Sequence, residues 1–379
     1  MKVRKRLYVT FLCAVEERAT MASAKTREYS FDVVKFLAIS IIVLHHYQEV
    51  TGAFFQYGPN WYDGAFYWGY LVELFFIISG YFTFASIEKV RSGVSFGAFY
   101  IRKYLRFLPM IVICGIVCLV TKYLFLTYVD HEPSVSFTIW NVVSSLACVA
   151  RWFDTSLMIN NPMWYVSVLL LCLAVFYFVT RRCRKADNLV LAYGMVIALG
   201  LVMRSMCVDG FKAPFFNIDI ARGLISFFIG LELALVIKRH PRIVNAASIV
   251  AAITAICLFV AFCATNRDGL VGSETSQYYA LVFLVYPSVI VICKAPILTR
   301  LFSSERLSFV GGCAYNMYVW HLPLIFLYCT AFYGLGLNSE RQIAMYAFLA
   351  LCFMAGMLSD RLIDRPIAKR VMRRLSGAR

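Results

Sequence analysis

The chain has 379 residues, 61% of them hydrophobic and 15% charged, with a mean hydropathy of +0.72. No soluble domain of this size needs that much apolar surface, so composition excludes one and indicates an all-α polytopic membrane protein. The net charge of +16 sits in short basic runs between apolar segments. That is the pattern of membrane topology, so the bilayer is an expected partner and nucleic acid is not.

Residues 1–26 read as an N-terminal extension outside the fold. Their apolar run, Leu7 to Val15, is short, ends in Glu16, Glu17 and Arg18, and lacks a small-x-small cleavage site. Met21 could be the biological start. Ten apolar segments of spanning length follow, at approximately 31–50, 66–86, 107–128, 163–180, 189–206, 218–237, 243–264, 278–294, 309–334 and 341–360. An even number places both termini on one side. One set of loops holds 29 of the 37 Lys and Arg residues and the other set holds 6, so both termini are expected in the cytoplasm. Between the third and fourth spans, residues 129–162 are too long for a turn and suggest an interfacial or re-entrant helix. The chain closes on a basic tail, 371–379. Most of the 13 cysteines lie in apolar segments and read as small buried hydrophobes. Cys148 and Cys207 fall near outer segments, where they could pair. No ligand set with metal spacing is evident.

Ionisable side chains inside spans are costly, which makes them functional candidates. Lys35 and His46 are eleven residues apart on the first span, about three turns, so they share one face. Their separation along the axis is about 16 Å, with His46 roughly 22 Å from the cytoplasmic end. Glu73, on the second span, and His321, on the ninth, fall near the same level by the same count. Glu49 follows His46 on nearly the same face. A carboxylate that fixes the tautomer of a proton-accepting histidine is the usual acid–base arrangement, and either Glu49 or Glu73 could supply it. His45 faces about 100° away and reads as a packing or vestibule residue. Arg102 and Arg106, just before the third span, either anchor topology or form a phosphate-docking mouth that Lys35 extends inward.

Taken in order, these segments resemble the acyltransferase 3 family over about residues 27–370. The first span is similar to the family's basic-x10-His signature, here Lys35 and His46. LVELFFIISGYF resembles the second-helix block, with Glu73, Ser79 and Gly80. FYIRKYLRFLP resembles the arginine-rich stretch, Met163-Trp164-Tyr165 the tryptophan block, AYNMYVWHLPL the late block with Trp320 and His321, and DRPIAK the ending at Asp364 to Lys369. Leu169 stands where some members carry glutamate.

The resemblance implies a multi-pass membrane acyltransferase that moves an acyl group, most often acetyl, from cytosolic acyl-CoA to a hydroxyl of a cell-surface polysaccharide. It uses acyl-CoA as substrate and no bound cofactor. Catalytic work is expected of His46, with Glu49 or Glu73. Donor binding is expected of Lys35, Arg102, Arg106, Ser79 and Gly80, and acceptor binding of His321, Trp320 and Trp164. The runner-up reading is a transporter or flippase using the same intramembrane charges for coupling. A non-catalytic sensor or scaffold is a third, and it leaves the Lys35–His46 stripe unexplained.

Overall fold

Helices occupy all ten of the expected apolar segments in the computed structural model, which describes residues 28–64, 66–131, 137–153, 158–183, 185–265, 274–304 and 308–377. They are α1 (Tyr29–Thr51), α2 (Leu71–Thr83), the short α3 (Ile87–Arg91), α4 (Phe96–Tyr128), α5 (Ile139–Leu146) and α6 (Trp164–Arg182). These are followed by α7 (Ala186–Val208), α8 (Ile218–Arg239), α9 (Ala246–Thr265), α10 (Glu274–Ala280), α11 (Tyr286–Cys293) and α12 (Pro296–Leu301). The chain ends with α13 (Ser308–Gly334), α14 (Gln342–Ser359) and α15 (Arg365–Gly377). Among the described residues eight helical stretches are long and apolar enough to cross a membrane. The seventh and ninth expected spans are the helices α9 and α13. The expected N-terminal extension lies outside the described residues.

Helix contacts in a bilayer depend on close fit, because lipid tails are as apolar as the side chains they would replace. At the crossing of α2 and α8 the fit comes from two glycines. A Cβ on Gly80 would collide with the Phe227 carbonyl oxygen, and one on Gly230 with the Ile77 carbonyl oxygen. The backbones therefore touch, and Gly80 is spent on this contact. Gly80 faces α8, and the cavity wall that includes its neighbour Ser79 does not include it.

Proline shapes α13. Pro323 has no N–H to donate to the Val319 carbonyl, so that oxygen would be left unpaired inside the bundle. Asn160 Nδ2 donates to it at 3.0 Å. Tyr318 Oη donates to the Pro162 carbonyl. The loop before α6 is thus fastened to α13 immediately below His321. The long outer segment does contain a helix, α5, started by a Thr138–Asn141 capping box. Ile139, Trp140 and Val143 are exposed along it, which fits an interfacial position. Cys148 and Cys207 are both buried and neither is in a disulfide, so the pairing considered from sequence does not form.

The end of α1 is fixed by Gly52, whose left-handed backbone (φ 68°) lets its N–H bond the Gln48 carbonyl at 2.8 Å. Gln48 itself is buried and organises the following loop. Its Nε2 donates to Ala53 O and Asn60 Oδ1, both at 3.0 Å, and its Oε1 accepts from Trp61 N. The loop thereby closes over the histidine pair at the end of α1.

Candidate active site

His46 and His321 meet where α1 packs on α13. Their rings stack with centroids 5.2 Å apart and an interplanar angle of 26°. His46 Nδ1 lies 2.5 Å from Glu49 Oε2, one turn later on the same helix. A carboxylate accepts, so Nδ1 carries the proton, and in the neutral imidazole Nε2 keeps its lone pair. The His46 side chain is 19% exposed and that of Glu49 is 42% exposed, which places this dyad at the edge of a solvent-reachable surface. His321 is fully buried, and its Nδ1 donates to the Tyr318 carbonyl at 2.7 Å. In the neutral ring its Nε2 is then the acceptor, and it is buried without a hydrogen-bond partner among the described residues.

His45 behaves as a packing residue. It is buried, its Nδ1 donates to the Trp61 carbonyl at 2.8 Å, and Tyr62 and Tyr67 meet its ring edge-on. One ligand atom each from His45, His46 and Glu49 lies within 4.8 Å of the others, close enough to share a cation. The Nδ1 atoms of both histidines are already engaged by Trp61 and Glu49, so a cation would have to take Nε2 or compete with those bonds.

Glu73 does not join this pair. Its fully buried carboxylate accepts from Arg222 Nε at 2.5 Å. Arg222 also lies 3.7 Å from Asp219, which is 3.1 Å from Arg151. The Arg222 guanidinium sits over the rings of Trp164, at 4.7 Å, and Tyr70, at 5.4 Å. Of the two carboxylates left open from sequence, the one at the imidazole is Glu49. Reading spans one at a time missed Arg222 and Asp219 because both fall within the first five residues of α8, where charges look like topology signals. Their spacing of three, which puts them on one helical face, was the available clue.

Lys35 lies toward the other end of α1. Its Nζ is 3.6 Å from Asp32 and 5.1 Å from the Phe82 ring centroid. It lines a cavity of about 290 Å³ together with Ser79, Arg106, Tyr165, Tyr315 and Tyr318, drawn from five helices. Ser79 and Tyr165 exchange a hydrogen bond at 2.8 Å on its wall. Leu169, where some members carry glutamate, lines it as well. Arg102 is half-buried one turn before Arg106 on α4 and is not part of the lining. Tyr318, on the cavity wall, also supplies the carbonyl that binds His321. Trp320 turns toward α14, where its Nε1 donates to Ser359 Oγ at 2.8 Å.

Lys35 and Arg106 thus share one cavity with Tyr318, whose carbonyl holds His321, and His321 in turn stacks on the His46–Glu49 dyad. Proton abstraction from a hydroxyl beside an acyl donor is the chemistry this layout suits.

The chain is similar to the peptidoglycan O-acetyltransferase OatA of Listeria monocytogenes, 24% identical over 384 residues that cover 91% of this chain and 56% of the relative. It is also similar to putative O-acetyltransferases of Staphylococcus aureus strains COL and MSSA476. Each is 21% identical over 379 residues, covering 91% of this chain and 58% of the relative. The chain therefore spans a little over half the length of these relatives. No solved structure matches it. The sequence profile of the family described as an acyltransferase domain matches residues 28–359, and the chain belongs to that family of membrane acyltransferases, acyltransferase 3.

Proposed function

We propose that the chain transfers an acyl group, acetyl in the first instance, from acyl-CoA to a hydroxyl of a cell-surface glycan. The observation that carries this reading is the His46–Glu49 dyad stacked on His321, which is bound in turn to Tyr318 on the wall of the cavity holding Lys35 and Arg106. The basic end faces the cytosol, as the distribution of Lys and Arg favours. The bilayer is a cell membrane crossed several times.

In the proposed reaction, acyl-CoA enters from the basic end with its phosphates near Arg102, Arg106 and Lys35 and its thioester directed along Ser79. The acceptor hydroxyl approaches from the opposite end. His46 Nε2 takes the hydroxyl proton as the oxygen attacks the thioester carbonyl. The new C–O bond forms, the C–S bond breaks, and the proton passes from the imidazolium to the departing CoA thiolate. Glu49 holds Nδ1–H and offsets the charge that develops on the ring. His321 Nε2 accepts a hydrogen bond from the acceptor, which supplies the partner that this buried atom otherwise lacks. Trp164 acts through Arg222, whose guanidinium its ring supports.

The test uses purified protein in detergent, radiolabelled acetyl-CoA and soluble peptidoglycan fragments. The acceptor is chosen because the Listeria relative is named for peptidoglycan. Label reaches the glycan with wild type, and His46→Ala slows transfer by about 10²–10⁴-fold. Equal labelling with both proteins refutes the assignment of His46, and substrate movement in vesicles without donor consumption favours a transporter.

A further inference from the structure

Arg106 meets the turn between α14 and α15 through a two-pronged contact. Its Nη1 donates to Asp364 Oδ1 at 2.5 Å and its Nη2 to Asp364 Oδ2 at 3.0 Å. The carboxylate is buried, 4% exposed, whereas the Arg106 side chain is 42% exposed and lines the cavity described above. Behind the carboxylate runs a line of hydrogen bonds. Asn316 Nδ2 donates to Asp364 Oδ2 at 3.4 Å, Ser359 Oγ donates to Asn316 Oδ1 at 2.9 Å, and Trp320 Nε1 donates to Ser359 Oγ at 2.8 Å. Every donor in the line points toward Asp364.

The backbone there is also specialised. Residues Asp360–Asp364 form a π turn between α14 and α15, a feature frequent at functional sites. Asp360, at the start of that turn, is occupied separately by Arg365 at 2.6 Å. It packs against Gly312, where a Cβ would come within 2.7 Å of its carboxylate. The two acidic residues therefore have different partners, and only Asp364 reaches the cavity's arginine.

A carboxylate held by two prongs uses two of the five guanidinium N–H groups and leaves the remaining edge free to donate. It also fixes the plane of the guanidinium, and planar fork geometry is what suits phosphate oxygens. We propose that Asp364 is a positioning residue for the donor: it locks Arg106 at the cavity mouth so that the free edge of the guanidinium receives a phosphate of acyl-CoA. Asn316, Ser359 and Trp320 hold the carboxylate in place from behind. The inference rests on the acyl-CoA reading of function, and it goes beyond that reading by giving the DRP segment a task.

A pair that only braced the chain's end against α4 would look similar at rest, but it would not distinguish donors. The test therefore compares acetyl-CoA with S-acetylpantetheine, which carries the thioester and no phosphate. Asp364→Asn raises KM for acetyl-CoA about tenfold and leaves kcat within about twofold, while both constants for S-acetylpantetheine match wild type. Asp364→Glu recovers part of the lost KM. Arg106→Ala shows the same donor selectivity, and adding Asp364→Asn to it changes nothing further. Should Asp364→Asn fail to fold, Ser359→Ala, which loosens the carboxylate from behind, gives a smaller effect of the same donor selectivity. Equal losses on both donors, or losses that add in the double variant, make the pair a brace and overturn the proposal. Wild-type protein active with acetyl-CoA, together with variants that lack this selectivity, sinks this inference alone. Wild-type protein inactive with both donors sinks the functional reading and the inference with it.

Discussion

Glu73 is the residue whose two readings differ most in consequence, and stability separates them. If it oriented a catalytic imidazole, its removal would abolish activity and leave the fold intact. The structure instead gives it Arg222 at 2.5 Å, with Glu73 fully buried and the Arg222 side chain 14% exposed. Removing one partner of a buried ion pair strands the other charge, at about 3–5 kcal/mol. Arg222 retains Asp219 at 3.7 Å, which offsets part of that, so Glu73→Ala is expected near the lower figure. Glu73→Gln keeps a hydrogen-bond acceptor and is expected to cost about 1–3 kcal/mol. Replacing both residues, Glu73→Leu with Arg222→Met, removes both charges and is expected to cost less than Glu73→Ala alone. The assay is reversible unfolding of the four proteins in detergent or bicelles, read as free energy. Wild-type stability in Glu73→Ala together with lost transfer activity would refute the structural assignment and return Glu73 to the catalytic centre.

Two further expectations follow from the same geometry. Asn160→Leu leaves the Val319 carbonyl unpaired and destabilises the protein by about 1–3 kcal/mol. Pro323→Ala restores an N–H that can reach that carbonyl, so in this background the Asn160→Leu cost falls to less than half. Glu49→Gln preserves the shape at His46 but removes the negative charge, and kcat is expected to fall on the order of 10²-fold with KM for the donor unchanged. Activity within twofold of wild type would show that Glu49 is only a surface partner of the ring.

The helical framework was readable because spanning length and apolarity are properties of consecutive residues, and all ten expected segments are helices. Lys35, His46 and Glu49 were readable for a related reason. They lie on one helix, where spacing alone decides which side chains share a face. The reading failed where a partner came from elsewhere in the chain. Arg222 is 149 positions from Glu73, and nothing in either local pattern names the other. Gly80 looked like part of a binding motif because the sequence around it does not reveal that Gly230 crosses at the same point. Trp320 and His321 are adjacent in sequence, yet one turns to Ser359 and the other to His46. That divergence depends on which helices flank α13, and hydropathy carries no information about neighbours. The pairing of Arg106 with Asp364 belongs to the same class: both motifs were visible, but not their contact.

The central claim is that an imidazole inside the bundle serves a donor from one side and an alcohol from the other. Sealed proteoliposomes test it most directly, with protein oriented by protease accessibility of its basic loops and acetyl-CoA and peptidoglycan fragments on opposite faces. Label is expected on the glycan only when acetyl-CoA is at the basic end, and it is expected to vanish in His46→Ala that folds like wild type. Transfer requiring both substrates on one face, or transfer persisting without His46, would contradict the claim.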